Sequence, residues 1–297
     1  MDIKPAQVKE LRERTGAGMM ECKKALVEAN GDLDLAGELL RKAGAAKADK
    51  KSSRVAAEGR IALRSDAQSG RHVVLEVNSE TDFVAKDDNF RAFVERLADI
   101  IANQRPANVE ALLRASVDGR TVEDLRLDLV TKVGEKISVR RFDVLESRAN
   151  VGAYVHGTRI GALVAVKGGE AALAYDFAMH VAASNPRYLS TAQVPPEVVA
   201  KERSILTEQA QGEGKPPEIV AKMVEGRLRK SLGEITLAGQ PFVKDPDVSI
   251  EKLLKGAKAE VVAFERFEVG AGIEKKADDF VADVMAQVKG SEAPVKH

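Results

Sequence analysis

The sequence of 297 residues has a single cysteine, Cys22, and no tryptophan, and aromatic residues make up only 4% of it. One cysteine excludes an intramolecular disulfide framework and is typical of the reducing cytoplasm, where we expect the protein to act. There are too few aromatic rings for a surface that stacks on nucleic-acid bases. The composition therefore argues against a secreted disulfide-rich domain and against base recognition.

Net charge and long apolar runs are absent as well. The 46 basic residues are balanced by 46 acidic ones, so the overall charge favours neither nucleic acid nor an anionic membrane. The longest apolar run, 160–166, is too short to span a bilayer, and residues 1–5 contain no apolar signal core. We therefore expect no membrane association and no direct nucleic-acid binding.

The N-terminal region, 1–54, is predicted to be a small helical module with a linker. Apolar stripes indicate three short helices within 5–43, and Asp32 is placed to cap the third. The stripe of the second helix consists of Met19, Cys22, Leu26 and Ala29. Residues 44–54 show no periodicity and are predicted to form a basic linker.

An internal repeat of strand, strand, helix and third strand fills the middle of the chain. The first copy has strands at 61–63, 73–77 and 137–144 and a helix at 90–101; the second has strands at 152–156, 160–167 and 261–269 and a helix at 170–183. This predicts an α+β fold whose core is two related antiparallel sheet-plus-helix subdomains, 55–146 and 147–184 with 232–270. An inserted antiparallel helical hairpin is predicted at 185–231, and a C-terminal helix in a module at 271–297.

The connector between strand 73–77 and helix 90–101 carries an acid and a bulky aromatic, Asp82 and Phe83. Either Asp87 or Asp88 is placed to cap the helix. An exposed phenylalanine on a loop is costly without a partner, so Phe83 either probes another molecule or folds back onto its own sheet. The residues alone favour the second alternative.

No catalytic or metal-binding pattern is present. The histidines at 72, 156, 180 and 297 are scattered, and a single cysteine cannot begin a zinc site. His180 lies on an apolar helix and is predicted to be a packing residue. The glycines of 270–272 indicate a tight turn rather than a dinucleotide loop, and 212–215 lack the spacing of a phosphate loop. We therefore predict no enzyme active site and no cofactor.

Four motifs, taken in order, resemble the bacterial elongation factor Ts family over nearly the whole chain. They are Leu11-Arg12-Glu13-Arg14-Thr15-Gly16-Ala17-Gly18-Met19-Met20, Glu80-Thr81-Asp82-Phe83-Val84-Ala85, His180-Val181-Ala182-Ala183 and Gly239-Gln240-Pro241-Phe242. The resemblance implies a guanine-nucleotide exchange factor for the GTPase elongation factor Tu, with a ubiquitin-associated-like N-terminal module and a coiled-coil hairpin. One departure is the segment 103–124, which is longer than expected.

The resemblance also implies roles for particular residues. Thr81, Asp82, Phe83 and Val84 would form a magnesium-dislocation loop that enters the GTPase beside its Mg²⁺ and promotes GDP release. Contacts with elongation factor Tu, GDP-bound or nucleotide-free, would come from Arg12, Met19, Met20, Lys23, Val133, Gly134 and His156, and from the segment 235–237. The resemblance leaves open whether the protein forms a homodimer or a 2:2 complex with the GTPase. The alternative function is an RNA- or ribosome-binding module that uses the basic linker and the N-terminal helices.

Overall fold

The computed structural model describes residues 3–214 and 216–274, and it has the α+β composition expected from the sequence. The helix predicted for the C-terminal module falls, apart from its first residues, outside this described part of the chain.

The N-terminal module consists of α1 (Pro5–Thr15), α2 (Met19–Glu28) and α3 (Leu33–Lys51) around a small apolar core. Asp32 caps α3 as predicted, because its carboxylate accepts hydrogen bonds from the N–H groups of Asp34 and Leu35. One prediction is wrong here: Met19 does not belong to the buried stripe of α2 but is 59% exposed.

The predicted linker at 44–54 is also wrong for most of its length, since α3 continues to Lys51. Alanine and lysine have high helix propensity, so the helix needs no amphipathic stripe to continue. Tertiary contacts hold it: Gly44 lies against Thr131 and Ala48 packs on the main core. The end of α3 is therefore a fixed part of the body.

The first half of the core is a three-stranded antiparallel sheet of order β1-β2-β5, covered by helix. Its elements in chain order are β1 (Glu58–Asp66), β2 (Arg71–Ser79), α4 (Asp82–Lys86), α5 (Asp88–Gln104), α6 (Val109–Arg114), β3 (Ser116–Val117), β4 (Arg120–Thr121), α7 (Val122–Val133) and β5 (Ser138–Glu146). The long segment 103–124 thus forms α6 and a small β3–β4 hairpin, with Leu112 and Val122 in the core.

The second half repeats this plan with a sheet of order β10-β7-β6. Its elements are β6 (Asn150–His156), β7 (Ile160–Lys167), α8 (Ala171–Ser184), α9 (Pro196–Gln211), α10 (Pro217–Ile235), β8 (Pro241–Phe242), β9 (Asp245–Ser249), α11 (Ile250–Ala257) and β10 (Glu260–Glu268). The inserted hairpin is α9 and α10, and α10 runs to Ile235, past residue 231, where the hairpin is predicted to end.

The two sheets pack face to face, with α5 and α8 on the outer faces. Val74 of β2 points into the apolar layer between the sheets, while its neighbours Val73 and Leu75 face α5. Gly161 allows the close approach, because a Cβ there would lie 2.5 Å from Ile61 Cγ2. The sandwich gives β2, and the connector that follows it, a rigid base.

Candidate partner-binding site

The connector after β2 presents Phe83 to solvent. Phe83 is 81% exposed, the largest fraction among the large apolar side chains in the described part of the chain. It lies on the short helix α4, where the next two residues, Val84 and Ala85, are buried in the core. The two buried residues of α4 therefore fix the backbone, and the two exposed residues before them leave the aromatic ring in water.

Thr81 begins α4. Its backbone is extended, its hydroxyl accepts a hydrogen bond from Val84 N–H at 3.4 Å, and its carbonyl accepts one from Ser79 Oγ at 2.8 Å. Asp87 ends α4 and caps α5, as one of the two predicted candidates, by accepting hydrogen bonds from Asn89 and Phe90 N–H. Both ends of the connector are thus defined by short-range polar contacts.

Asp82, beside Phe83, is exposed and pairs with Lys86 one helical turn later, at 2.7 Å. The hydrogen bond from Lys86 lowers the pKa of the Asp82 carboxyl, so this carboxylate is ionised at neutral pH. The exposed tip formed by Asp82 and Phe83, called the probe tip below, therefore carries one negative charge beside one apolar ring.

An open groove of about 830 Å³ runs along the probe tip. Its other walls are formed by Val55, the Arg54–Glu80 ion pair and the Arg159–Glu58 ion pair. The groove gives an element of another molecule room to contact both the ring of Phe83 and the adjacent charges.

The base of the probe tip is bound to a segment far away in sequence. Glu135, in the connector between α7 and β5, accepts hydrogen bonds from the backbone N–H groups of Glu80 and Thr81 and from the Thr81 hydroxyl. Sequence reasoning missed Glu135, because its partners lie 54 and 55 positions earlier and no local pattern signals the contact.

The other predicted contact residues lie on α1, on α2, at the end of α7 and at the end of β6. Arg12, Met19, Met20 and Lys23 are all exposed on α1 and α2, with Met20 74% exposed. Both methionines thus face solvent, whereas the sequence placed Met19 in the module's core. In the first sheet-plus-helix subdomain, Val133 is half-buried at the end of α7, and Gly134, which follows it, is exposed.

His156 is exposed at the end of β6. Its Nδ1 lies 3.2 Å from the Tyr154 hydroxyl, and the ring of Tyr154 packs edge-on against Tyr175 at 5.8 Å. By contrast, the segment 235–237 has little to offer a partner, since Thr236 and Leu237 are almost fully buried.

His180 is buried, as predicted for a packing residue. Its Nε2 lies 2.9 Å from Gln240 Oε1, and its Nδ1 accepts a hydrogen bond from Val243 N–H. Within residues 3–214 and 216–274, no three His, Cys, Asp or Glu side chains are grouped to hold a metal ion. No helix in these same ranges combines the length and hydropathy that crossing a membrane requires.

Comparisons with known proteins agree with each other. The family model described as "Elongation factor TS" matches residues 80–271, which include the probe tip, β5 of the first sheet and the whole second sheet. The chain is 55% identical to elongation factor Ts of Thioalkalivibrio sulfidiphilus, over 98% of this chain and 100% of that protein. Elongation factor Ts of Alkalilimnicola ehrlichii is 54% identical over 98% and 100%, and that of Legionella pneumophila strain Lens 52% over 97% and 99%.

These relatives place the chain in the class of translation elongation factors, which serve protein biosynthesis. Within that class, the chain belongs to the elongation factor Ts family, whose members are nucleotide exchange factors and have a non-catalytic role.

Proposed function

We propose that this protein binds GDP-bound elongation factor Tu in the cytoplasm and accelerates GDP release by inserting the probe tip beside the magnesium site of the GTPase. The observation that carries the proposal is the 81% exposure of Phe83 on a backbone anchored by buried Val84 and Ala85. An apolar ring held out in water is stabilised when a partner covers it.

The mechanism needs displacement rather than proton transfer. Mg²⁺ requires near-ideal octahedral geometry, and a GTPase holds it between phosphate oxygens and protein side chains. A wedge that moves those side chains by about an ångström weakens the binding of Mg²⁺ and of the diphosphate that the metal bridges. Phe83 would be that wedge. The ionised Asp82 would exchange its Lys86 partner for polar groups of the GTPase.

Thermodynamic linkage fixes what the remaining contacts must do. The protein speeds release only by binding nucleotide-free elongation factor Tu more tightly than the GDP form, and nucleotide must weaken its binding by the same factor. We assign such contacts to Arg12, Met19, Met20 and Lys23 of the N-terminal module and to Val133, Gly134 and His156 of the core. Their exposure supports the assignment, apart from the half-buried Val133.

The test follows fluorescent GDP on elongation factor Tu after catalytic amounts of this protein are added. Covering a phenylalanine side chain is worth about 1.5–3 kcal/mol, so Phe83→Ala should slow release roughly 10- to 150-fold. Asp82→Ala should also slow it. Ile219→Ala, which removes an exposed aliphatic side chain from the hairpin, is the matched control and should exchange at the parent rate. If Phe83→Ala and Asp82→Ala both match the parent, the wedge mechanism is wrong.

A further inference from the structure

Two short segments, 80–81 and 135–136, are joined by hydrogen bonds that run in both directions. Glu135 Oε2 accepts from the N–H groups of Glu80 at 3.1 Å and Thr81 at 3.0 Å, and its Oε1 accepts from the Thr81 hydroxyl at 2.6 Å. In return, Glu80 Oε1 accepts from Lys136 N–H at 2.6 Å. These four bonds lie directly below the probe tip.

The Glu135 carboxylate satisfies donors that have no other hydrogen-bond partner among the described residues. The N–H groups of Glu80 and Thr81 precede the first turn of α4, so that helix cannot bond them. The carboxylate also orients the Thr81 hydroxyl, which donates to Glu135 and keeps its lone pairs for Val84 N–H. Replacing Glu135 by alanine would leave two half-buried donors unpaired and the Thr81 cap free to rotate.

The connector that carries Glu135 is itself held at several points. Lys136 Nζ donates to the carbonyls of Ser52 at 2.6 Å and Arg54 at 2.9 Å, and Lys51 Nζ donates to the carbonyl of Gly134. Gly134 ends α7 in the left-handed conformation, φ 79°, which glycine adopts without strain. The connector therefore links the end of α3, the end of α7 and the base of α4.

We propose that Glu135 is a positioning residue for nucleotide exchange: it orients the probe tip and joins it to the neighbouring Val133–Gly134 segment. This inference rests on the proposed function, because the probe tip has something to displace only if the protein acts on a GTPase. Glu135 contacts the backbone behind the tip and acts through Asp82 and Phe83.

The test measures GDP release, binding to nucleotide-free elongation factor Tu, and amide hydrogen exchange for Glu135→Ala and Glu135→Gln. If Glu135→Ala reduces the fraction of molecules with a correctly oriented probe tip to about a tenth, the rate of GDP release falls about tenfold. Glutamine keeps an oxygen that accepts both backbone N–H groups, so it should restore most of the rate. Glu95→Ala, at an exposed glutamate of α5, is the control and should match the parent. Amide exchange should speed up at Glu80 and Thr81 in the alanine variant alone.

A double variant separates positioning from a general loss of structure. If Glu135 acts through the tip, Glu135→Ala should slow release less in a Phe83→Ala chain than in the parent, because only Asp82 is then left to position. The proposal is overturned if the two effects multiply, or if Glu135→Ala exchanges at the parent rate although Glu80 and Thr81 have lost amide protection. Phe83→Ala and Asp82→Ala chains that both exchange at the parent rate overturn the proposed wedge, and this proposal with it, even where the amide data show Glu135 holding the loop.

Discussion

Glu76 is a fully buried carboxylate between the two sheets, and its replacement by alanine should destabilise the fold. Arg140 Nη1 lies 2.9 Å from Oε1 and Arg141 Nε 2.7 Å from Oε2, while Asn78 and the N–H of Gly270 also donate to Oε1. A β-bulge opposite Glu76 adds one residue to β5, which places two consecutive arginines on the same carboxylate.

These contacts cross from one sheet to the end of the other. Arg140 also donates to the carbonyl of Ala271, and Arg141 lies over the ring of Phe267 at 4.2 Å. Removing one partner of a buried ion pair costs about 3–5 kcal/mol. The arginine side chains remain 25% and 38% exposed, so water compensates part of the loss and we expect the lower end, about 3 kcal/mol.

The assay is thermal and urea denaturation of Glu76→Ala at pH 7. For a protein of this size, 3 kcal/mol corresponds to a fall in the unfolding midpoint of roughly 6–12 °C. Glu260→Ala, at an exposed glutamate that begins β10, is the control and should change the free energy of unfolding by less than about 0.5 kcal/mol. A loss below about 1 kcal/mol for Glu76→Ala would refute the idea that this carboxylate joins the sheets.

The pH dependence gives an independent check on Glu76. Burial raises its pKa, but the hydrogen bonds from Gly270, Arg141, Arg140 and Asn78 together outweigh burial, and the pKa lies below its ordinary value of 4.5. A carboxyl whose pKa is lowered on folding stabilises the fold above that ordinary value and stops doing so as the pH falls through the folded pKa. The parent should therefore lose this stability below about pH 4.5, and Glu76→Gln should show a shallower loss.

The remaining predictions concern His180 and Gly161. Burial lowers the pKa of His180, and the hydrogen bond with Gln240 offsets this only in part, so the folded state keeps the ring neutral and stability should decline as the pH falls below about 6.5. His180→Leu should flatten that decline in denaturation curves measured between pH 7 and 5. The part of the decline due to His72, whose pKa is also lowered by burial, should remain. An unchanged slope would contradict the idea that His180 contributes to the loss of stability. Gly161→Ala should cost about 1–3 kcal/mol because the added Cβ meets Ile61, whereas Gly226→Ala, which meets nothing within 4 Å on α10, should be neutral or stabilising in the same urea titration.

Periodicity was sufficient to predict the repeated strands and their covering helices. Val73, Leu75 and Val77 recur at every second position, and the apolar residues of α5 recur at helical spacing. Each pattern reflects the burial of one face of that element, so it is visible in the local sequence. Asp32, and Asp87 as one of two candidates, were recognisable as caps for the same reason, since a cap bonds the backbone two or three residues ahead. The resemblance of the Thr81–Val84 loop to its family was likewise a local motif.

Contacts between distant segments explain where the predictions failed. Nothing near 44–54 indicates that Gly44 and Ala48 would pack on the core and keep α3 helical. Met19 fits the stripe of α2 by spacing, yet the small module closes without it. Glu76 and Glu135 read as ordinary polar residues until folding brings their partners to them.

Local sequence and tertiary contacts each explain a different property of the probe tip. Hydrophobic period and capping act over a few residues, so the local sequence was enough to predict that an acid and an aromatic lie between a strand and a helix. The exposure of Phe83 depends on contacts between distant segments. Val84 and Ala85 pack into a core formed by both strand and helix, and Glu135 accepts hydrogen bonds from residues 54 and 55 positions earlier. Burial and hydrogen bonding between segments so far apart depend on how the whole chain packs.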